Sequence, residues 1–211
     1  MGEEGLSLRS QARYEKILNV AFELFLEHGF EKTSVNEIVR RAGGSLSTLY
    51  KFFSTKEKLF EAALVREFRT TFAELEEIRL SEKSIEGFLR RFGRRFFEVI
   101  CDSKAIALSR VIISEGGRYE GKLGKIFYEC GHESVQRVIE EFLRAQQQAG
   151  KIAQDIDVSL AALRFIHLVI EPYYFCSLTM GAPLDFTPKE QQKIVDEAVR
   201  IFLYGVRCGI K

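Results

Sequence analysis

A chain of 211 residues, 46% hydrophobic and 12% aromatic, can bury one small and one larger core. Its 31 lysines and arginines face 30 aspartates and glutamates, and the formal net charge of +1 excludes a generally basic polyanion binder, so any nucleic-acid contact must rest on local placement of charge. Three prolines, no tryptophan and few alternating apolar-polar runs predict an all-α fold.

The opening MGEEGLSLRSQAR has neither an apolar core nor a cleavage signature, so no leader peptide is expected there. From about Gln11 to His28, Ile17, Leu18, Ala21, Phe22, Leu24 and Phe25 fall at three-and-four spacing and predict an amphipathic helix ended by Gly29. Ser34 and Glu37 form an S-x-x-E capping box that predicts a helix start near Val35. Val35, Ile38, Val39 and Ala42 make its inner face, and Gly43-Gly44 stops it. Ser45 caps the next helix, in which two or all three of Leu46, Leu49 and Phe53 turn inward while Ser47, Thr48, Tyr50 and Lys51 face out. A capped short helix, a glycine turn and a second capped short helix spell a helix-turn-helix over about residues 34–53, a layout that projects its second helix toward the DNA major groove.

The stretch resembles the DNA-binding domain of the TetR/AcrR family of transcriptional regulators. The register is carried by Ala21, Leu24, Phe25, Gly29, Phe30, Thr33, Ser34, Val35, Ile38, Ala42, Gly43, Ser45, Thr48, Leu49, Tyr50, Phe53, Lys56, Glu57 and Leu59. The strong resemblance covers about the first sixty residues. Gly44 stands where the family usually has a small apolar residue, a second glycine expected to loosen the turn. Leu46 and Ser47 stand where a basic or polar residue and a glycine are common, implying a weaker phosphate contribution or a different base preference. The resulting DNA-contacting set is Thr33, Ser34, Ser45, Leu46, Ser47, Thr48, Tyr50, Lys51 and Lys56, with Arg9, Arg13, Lys32, Arg40 and Arg41 adding local charge. Residues 1–60 are expected as the DNA-binding domain and residues 61–211 as a ligand-binding and dimerisation domain.

Leu59, Phe60, Ala63, Leu64, Phe68, Phe72 and Leu75 mark a long helix leading out of the reading domain, which the resemblance implies reports ligand occupancy to DNA. Ile85 to Ile100 reads as a further helix whose Arg90, Arg91, Arg94 and Arg95 form a solvated face. A short helix follows from Ala105 to Glu115, stopped by Gly116-Gly117, and a longer one runs from about Tyr119 to Ala149. The apolar stretch from Val158 to Ile170 is too short and interrupted for a bilayer span, and no membrane partner is expected. It and the last helix, about Pro188 to Arg207, each show two apolar faces. Two such helices from each of two chains would form a homodimer interface through Phe165, Leu168, Val195, Val199, Phe202 and Val206, in keeping with the dimer and two-fold operator that the resemblance implies.

Eighteen phenylalanines, many between Phe88 and Phe175, allow either ordinary core packing or a cavity for a small apolar or aromatic effector. The resemblance favours the cavity, and Phe92, Phe96, Tyr128, His132, His167, Glu171 and Tyr174 are its candidate lining, although His167 and Glu171, one turn apart, read first as an internal hydrogen-bonded pair and otherwise as a polar contact to the effector. Cys101, Cys130, Cys176 and Cys208 contain no C-x-x-C pair and read as reduced thiols of a cytoplasmic protein; Cys130-Gly131-His132 reads as a buried thiol beside a helical histidine rather than a metal pair. No nucleophile-base pair, carboxylate pair or metal cluster is spelled out, so neither catalysis nor a cofactor is expected. The sequence reads as a ligand-responsive DNA-binding regulator, a repressor released by a small molecule. The alternative is a small-molecule carrier without DNA binding.

Overall fold

A computed structural model describes residues 7–115, 121–181 and 184–206. Among them the regular structure is helical: α1 (Leu8–Lys32), α2 (Val35–Ala42), α3 (Leu46–Phe52), α4 (Lys56–Ser81), α5 (Ile85–Cys101), α6 (Ser103–Glu115), α7 (Lys122–Phe127), α8 (Glu133–Gln148), α9 (Val158–Ile170), α10 (Tyr173–Met180) and α11 (Pro188–Tyr204). The all-α expectation holds. The long helix expected over 119–149 differs, because a π-helical turn at Tyr128–His132 separates α7 from α8. The expected stop at Gly116-Gly117, Cys208 and the expected end at Arg207 lie outside the described residues.

The chain divides into two compact units, and the division is not the expected one at residue 60. The first unit takes the chain up to Thr70 together with Ala107–Gly131; the second takes Thr71–Ile106 and the chain from His132 onward. The cores explain the change. Leu108 and Ile112 of α6 and Leu123 of α7 are buried in the same cluster as Phe25, Ile38, Leu49 and Phe60. Phe68 of α4 meets Phe127 of α7 with ring centroids 6.2 Å apart. Apolar spacing along the chain identifies such inward faces without identifying what they pack on.

The second unit is held by an aromatic core. Phe88 of α5 stacks on Phe142 of α8 at 3.8 Å between centroids, and Phe165 of α9 lies edge-on to Phe202 of α11 at 5.2 Å. Gly93 lets α5 come close: a Cβ there would lie 2.8 Å from Val195 Cγ1 of α11 and 3.5 Å from Phe165 Cζ. Capping fixes where these helices begin. Asp157 accepts the N–H groups of Ser159 and Leu160, both at 3.0 Å, and Thr187 with Glu190 forms a reciprocal capping box ahead of α11, with Pro188 in its first turn.

The arginines of α5 behave as the solvated face expected of them, two of them reaching other helices. Arg90 pairs with Glu86 and with Asp196 of α11, Arg91 with Glu82, and Arg95 with Glu74 and Glu98. No single described helix is long and apolar enough to cross a membrane; α9 and α10 pass on length and composition only as a pair bent by 60°.

Three of the expected dimer-contact residues are corrected. Phe165 is 0% exposed, Val195 0% and Val199 1%, all inside the second unit's own core, so they offer no surface to another chain. Leu168 and Phe202 are half-buried against that core, and Val206 is exposed. Because α5 has no room at Gly93, Gly93→Val should cost about 1–3 kcal/mol of stability through overpacking. A urea titration checks this, and an unchanged midpoint would show that the α5–α11 contact can relax.

Candidate nucleic-acid interface

The first unit is built on α1, whose Ile17, Leu18, Ala21, Phe22, Leu24 and Phe25 are all buried, matching the face expected for them. Gly29 breaks the helix with φ +80° and returns Phe30 to the core, where it stacks on Phe25 at 5.4 Å and meets Phe60 edge-on at 5.5 Å. Against this floor α2 places Ile38 and Ala42, and α3 places Leu49, 0% exposed. Phe53, just past α3, is buried and stacks on Tyr14 of α1 with centroids 5.0 Å apart.

Two of the three candidate inward residues of α3 therefore turn in. Leu46, the third, is 38% exposed and shares the outer side with Ser47, Tyr50 and Lys51. Ser45 caps the helix as expected, accepting the N–H of Thr48 at 3.2 Å. Its hydroxyl also lies 2.8 Å from that of Ser47 and 2.9 Å from that of Thr48, so the three hydroxyls form one cluster at the start of the helix.

The Gly44 departure has a structural reason. Gly44 has φ +148°, and a Cβ on it would lie 2.8 Å from Arg13 Nη1. The guanidinium of α1 covers the turn where a larger residue would stand. The backbone conformation is one that L side chains rarely adopt, so glycine suits this turn, while the Arg13 guanidinium is the end of a flexible side chain that can move aside.

Three expectations in and around the DNA-contacting set need correction. Thr33 is 2% exposed, and its hydroxyl donates to the carbonyls of Gly29 at 2.7 Å and Leu24 at 3.0 Å, closing the corner before α2. It is a structural residue, not an outward one. Ser34 is exposed and occupies the N-cap position, but its side chain makes no capping bond. The capping box fails because Glu37 turns forward along α2 to bind Arg40 at 2.6 and 2.9 Å and Arg41 at 2.7 Å. Lys56 donates to the Glu31 carbonyl at 3.1 Å and sits over the Phe30 ring at 4.6 Å, so its ammonium is committed within the unit.

These pairings reduce the local positive charge. Hydrogen bonds from Arg40 and then Arg41 hold the Glu37 carboxyl at about 2, and Glu37 in turn raises both arginines. The carboxylate stays ionised at every pH near neutrality and partly neutralises Arg40 and Arg41. Burial pushes Lys56 below its ordinary value, opposed by the charges of Glu31, Glu57 and Glu115. Lys51 is exposed on α3 without an ion pair among the described residues.

The residues expected to line a ligand cavity do not share one environment. Phe92 is 0% exposed and Phe96 8%, both packed in the second unit's core, whereas Tyr128 is half exposed and belongs to the first unit. His132 and His167 approach to 6.4 Å between ring centroids. His167 and Glu171 instead open on a groove of about 910 Å³ between α9 and α11, with Leu168, Ile194 and Ile201 among its apolar walls and Arg164, Lys193 and Glu197 among its charges. Tyr174 is half-buried against the core. Among the described residues no three His, Cys, Asp or Glu side chains converge as metal ligands. Burial pushes the Cys101 thiol up to about 11 and Cys130 in the same direction, so neither is an activated thiolate.

A small helix-turn-helix core presenting an outward seven-residue helix, followed by a helical second unit, defines a transcriptional regulator. The sequence profile of the bacterial regulatory proteins of the tetR family matches residues 17–63, and that of the AefR-like transcriptional repressor C-terminal domain matches residues 87–205. The chain belongs to the TetR family of helix-turn-helix transcriptional regulators, whose members are typically ligand-responsive repressors. It is 31% identical to the transcriptional repressor ComR of Escherichia coli K12 over 161 residues, 73% of this chain and 74% of ComR. A solved structure from Mesorhizobium loti MAFF303099, assigned to the same family, superposes with a TM-score of 0.80 at 26% identity, covering 93% of this chain and 98% of that one. The flavonoid-responsive regulator FrrA does so with a TM-score of 0.71 at 29% identity, covering 90% and 95%.

Because the Thr33 hydroxyl satisfies two carbonyls out of contact with water, Thr33→Val should lower the unfolding free energy by about 1–3 kcal/mol. Chemical denaturation measures it. A loss under about 0.5 kcal/mol is the behaviour of a surface residue and would contradict the buried role.

Proposed function

We propose that two copies of this chain pair through the α9–α11 groove and present their α3 helices to successive major grooves of a two-fold operator, and that a small apolar or aromatic effector lowers operator affinity. The reading rests on one observation: α3 buries Leu49 and anchors through Phe53, leaving Leu46, Ser47, Tyr50 and Lys51 outside. With Arg40, Arg41 and Lys56 partnered, Lys51 is the main phosphate-directed cation of the reading helix, and the hydroxyl cluster and Tyr50 supply hydrogen bonds to backbone or base edges. Ser34 stays an outward candidate at the start of α2.

The groove suits a second copy. Its walls carry Leu168, Ile194 and Ile201, and its charges include both Arg164 and Lys193 and both Glu171 and Glu197, so a two-fold axis can set opposite charges across the seam. His167 and Glu171 then serve the pairing face rather than the effector. Phe96, His132 and Tyr174 remain as effector candidates in the second unit, and the name of FrrA, a flavonoid-responsive relative, favours an aromatic ligand class. A cytoplasmic regulator fits reduced, unactivated cysteines.

In a gel shift with the DNA upstream of its own gene, the protein should form one discrete complex that a cognate aromatic compound dissolves. Lys51→Gln should weaken that complex and, with one Lys51 lost from each of the two copies, reduce the slope of log K against log salt by about 1.8. A ligand-binding protein that forms no DNA complex would favour the carrier reading, and a wild-type slope implying well over a dozen phosphate contacts would contradict the sparse charge assigned to this surface. Ile194→Glu, which places a charge in the apolar seam, should shift the sedimentation profile from dimer to monomer and weaken operator binding at least tenfold. A dimer that survives this change would move the pairing face elsewhere.

A further inference from the structure

The first unit contains a buried acid that the helix-turn-helix pattern does not account for. Glu115, the last residue of α6, is 7% exposed. Its Oε1 accepts the backbone N–H of Glu31, 84 residues away, at 3.4 Å, and lies 3.4 Å from the point where a Cβ on Gly29 would stand. The same corner holds Lys56, whose ammonium donates to the Glu31 carbonyl, covers the Phe30 ring and is favoured in its charged form by Glu115. Thr33 completes it by bonding back to the Gly29 and Leu24 carbonyls.

We infer that Glu115 is a positioning residue for DNA recognition: its carboxylate clasps the Gly29–Glu31 corner between α1 and α2 and so fixes the angle at which α2 and α3 leave α1. The clasp is held from behind, since Ile112 and Leu108, one and two turns earlier on α6, are buried in the reading unit's core. Gly29 is needed for the turn itself: its φ of +80° is one that L side chains rarely adopt, and the carboxylate lies against it. Without the clasp the Glu31 N–H loses its side-chain acceptor, and the corner can swing while the aromatic core stays packed.

The inference rests on the regulator reading, and the test separates the two. Binding is measured by fluorescence anisotropy to the cognate operator and to a scrambled duplex of equal length, at a temperature where circular dichroism shows each variant folded. Glu115→Ala should lower operator affinity at least tenfold while leaving affinity for the scrambled duplex within twofold, because a misaimed α3 loses register-specific contacts and keeps the electrostatic ones. Glu115→Gln, which keeps an oxygen for the Glu31 N–H, should recover operator affinity to within threefold of wild type. If Glu115→Ala is unfolded, Glu115→Asp, with the carboxylate drawn back by one methylene, should show the same selective loss. An unchanged ratio of operator to scrambled affinity in a folded Ala or Asp variant, or an equal loss on both duplexes, would overturn the clasp. A wild-type protein that does not distinguish the two duplexes would instead remove the regulator reading and the clasp with it.

Discussion

A seven-residue helix has no stability of its own in water, since the first turn is entropically costly and few hydrogen bonds follow it. The reading helix α3 exists because Leu49 and Phe53 are fixed in a core built mostly by other helices, with Tyr14 of α1 stacked on Phe53 and Arg13 laid over the glycine turn. This constraint determines which side chains can meet DNA. Once Leu49 and Phe53 point inward, the helical period leaves Ser47, Tyr50 and Lys51 outside, and Leu46 emerges at the edge. The same anchoring limits the loss of conformational freedom on binding, because the contacting groups already stand on a packed platform.

Electrostatics here is economical. Glu37 ties up Arg40 and Arg41, and Lys56 is drawn into the Phe30–Glu31 corner, so less of the positive charge beside the reading helix is available to DNA. A strong nonspecific attraction to phosphate would hold such a protein on any duplex. A weak one leaves discrimination to shape and base-edge contacts, and the proposed pairing of two copies would double those contacts at a fixed spacing. The exposed Leu46, in a place where a basic residue is common, fits this balance: it adds no phosphate attraction and offers an apolar surface to a groove.

The starts of α2, α3, α9 and α11, the outward set of α3 and the cap at Ser45 were legible in the sequence because each depends on residues within one or two turns of each other. What was not legible depends on partners far apart in the chain, on a helix break that redirects near ones, or on competition between neighbouring side chains. Thr33 and Lys56 look like polar surface residues, but the break at Gly29 brings carbonyls to both. Ser34 and Glu37 have capping-box spacing, but two arginines one turn ahead compete for the carboxylate and win. Phe165, Val195 and Val199 carry no signal that says which of the two apolar faces of α9 and α11 stays within one chain. The close approach at Gly93 shows that α5 already covers Phe165 and Val195, and Val199 lies in the same core. Arg13, Tyr14 and Glu115 left no short-range signal at all. They matter through packing against residues 30 to 86 positions away, and only a departure such as Gly44 hinted that something unusual filled the turn.

Hydroxyl-radical footprinting of the protein on its own upstream DNA tests most directly whether two outward α3 helices act together at duplex pitch. Two protected patches on one face of the duplex, centred about 10 to 10.5 base pairs apart or a small multiple of that spacing, are the predicted result. A single patch, or uniform protection along the fragment, would contradict it.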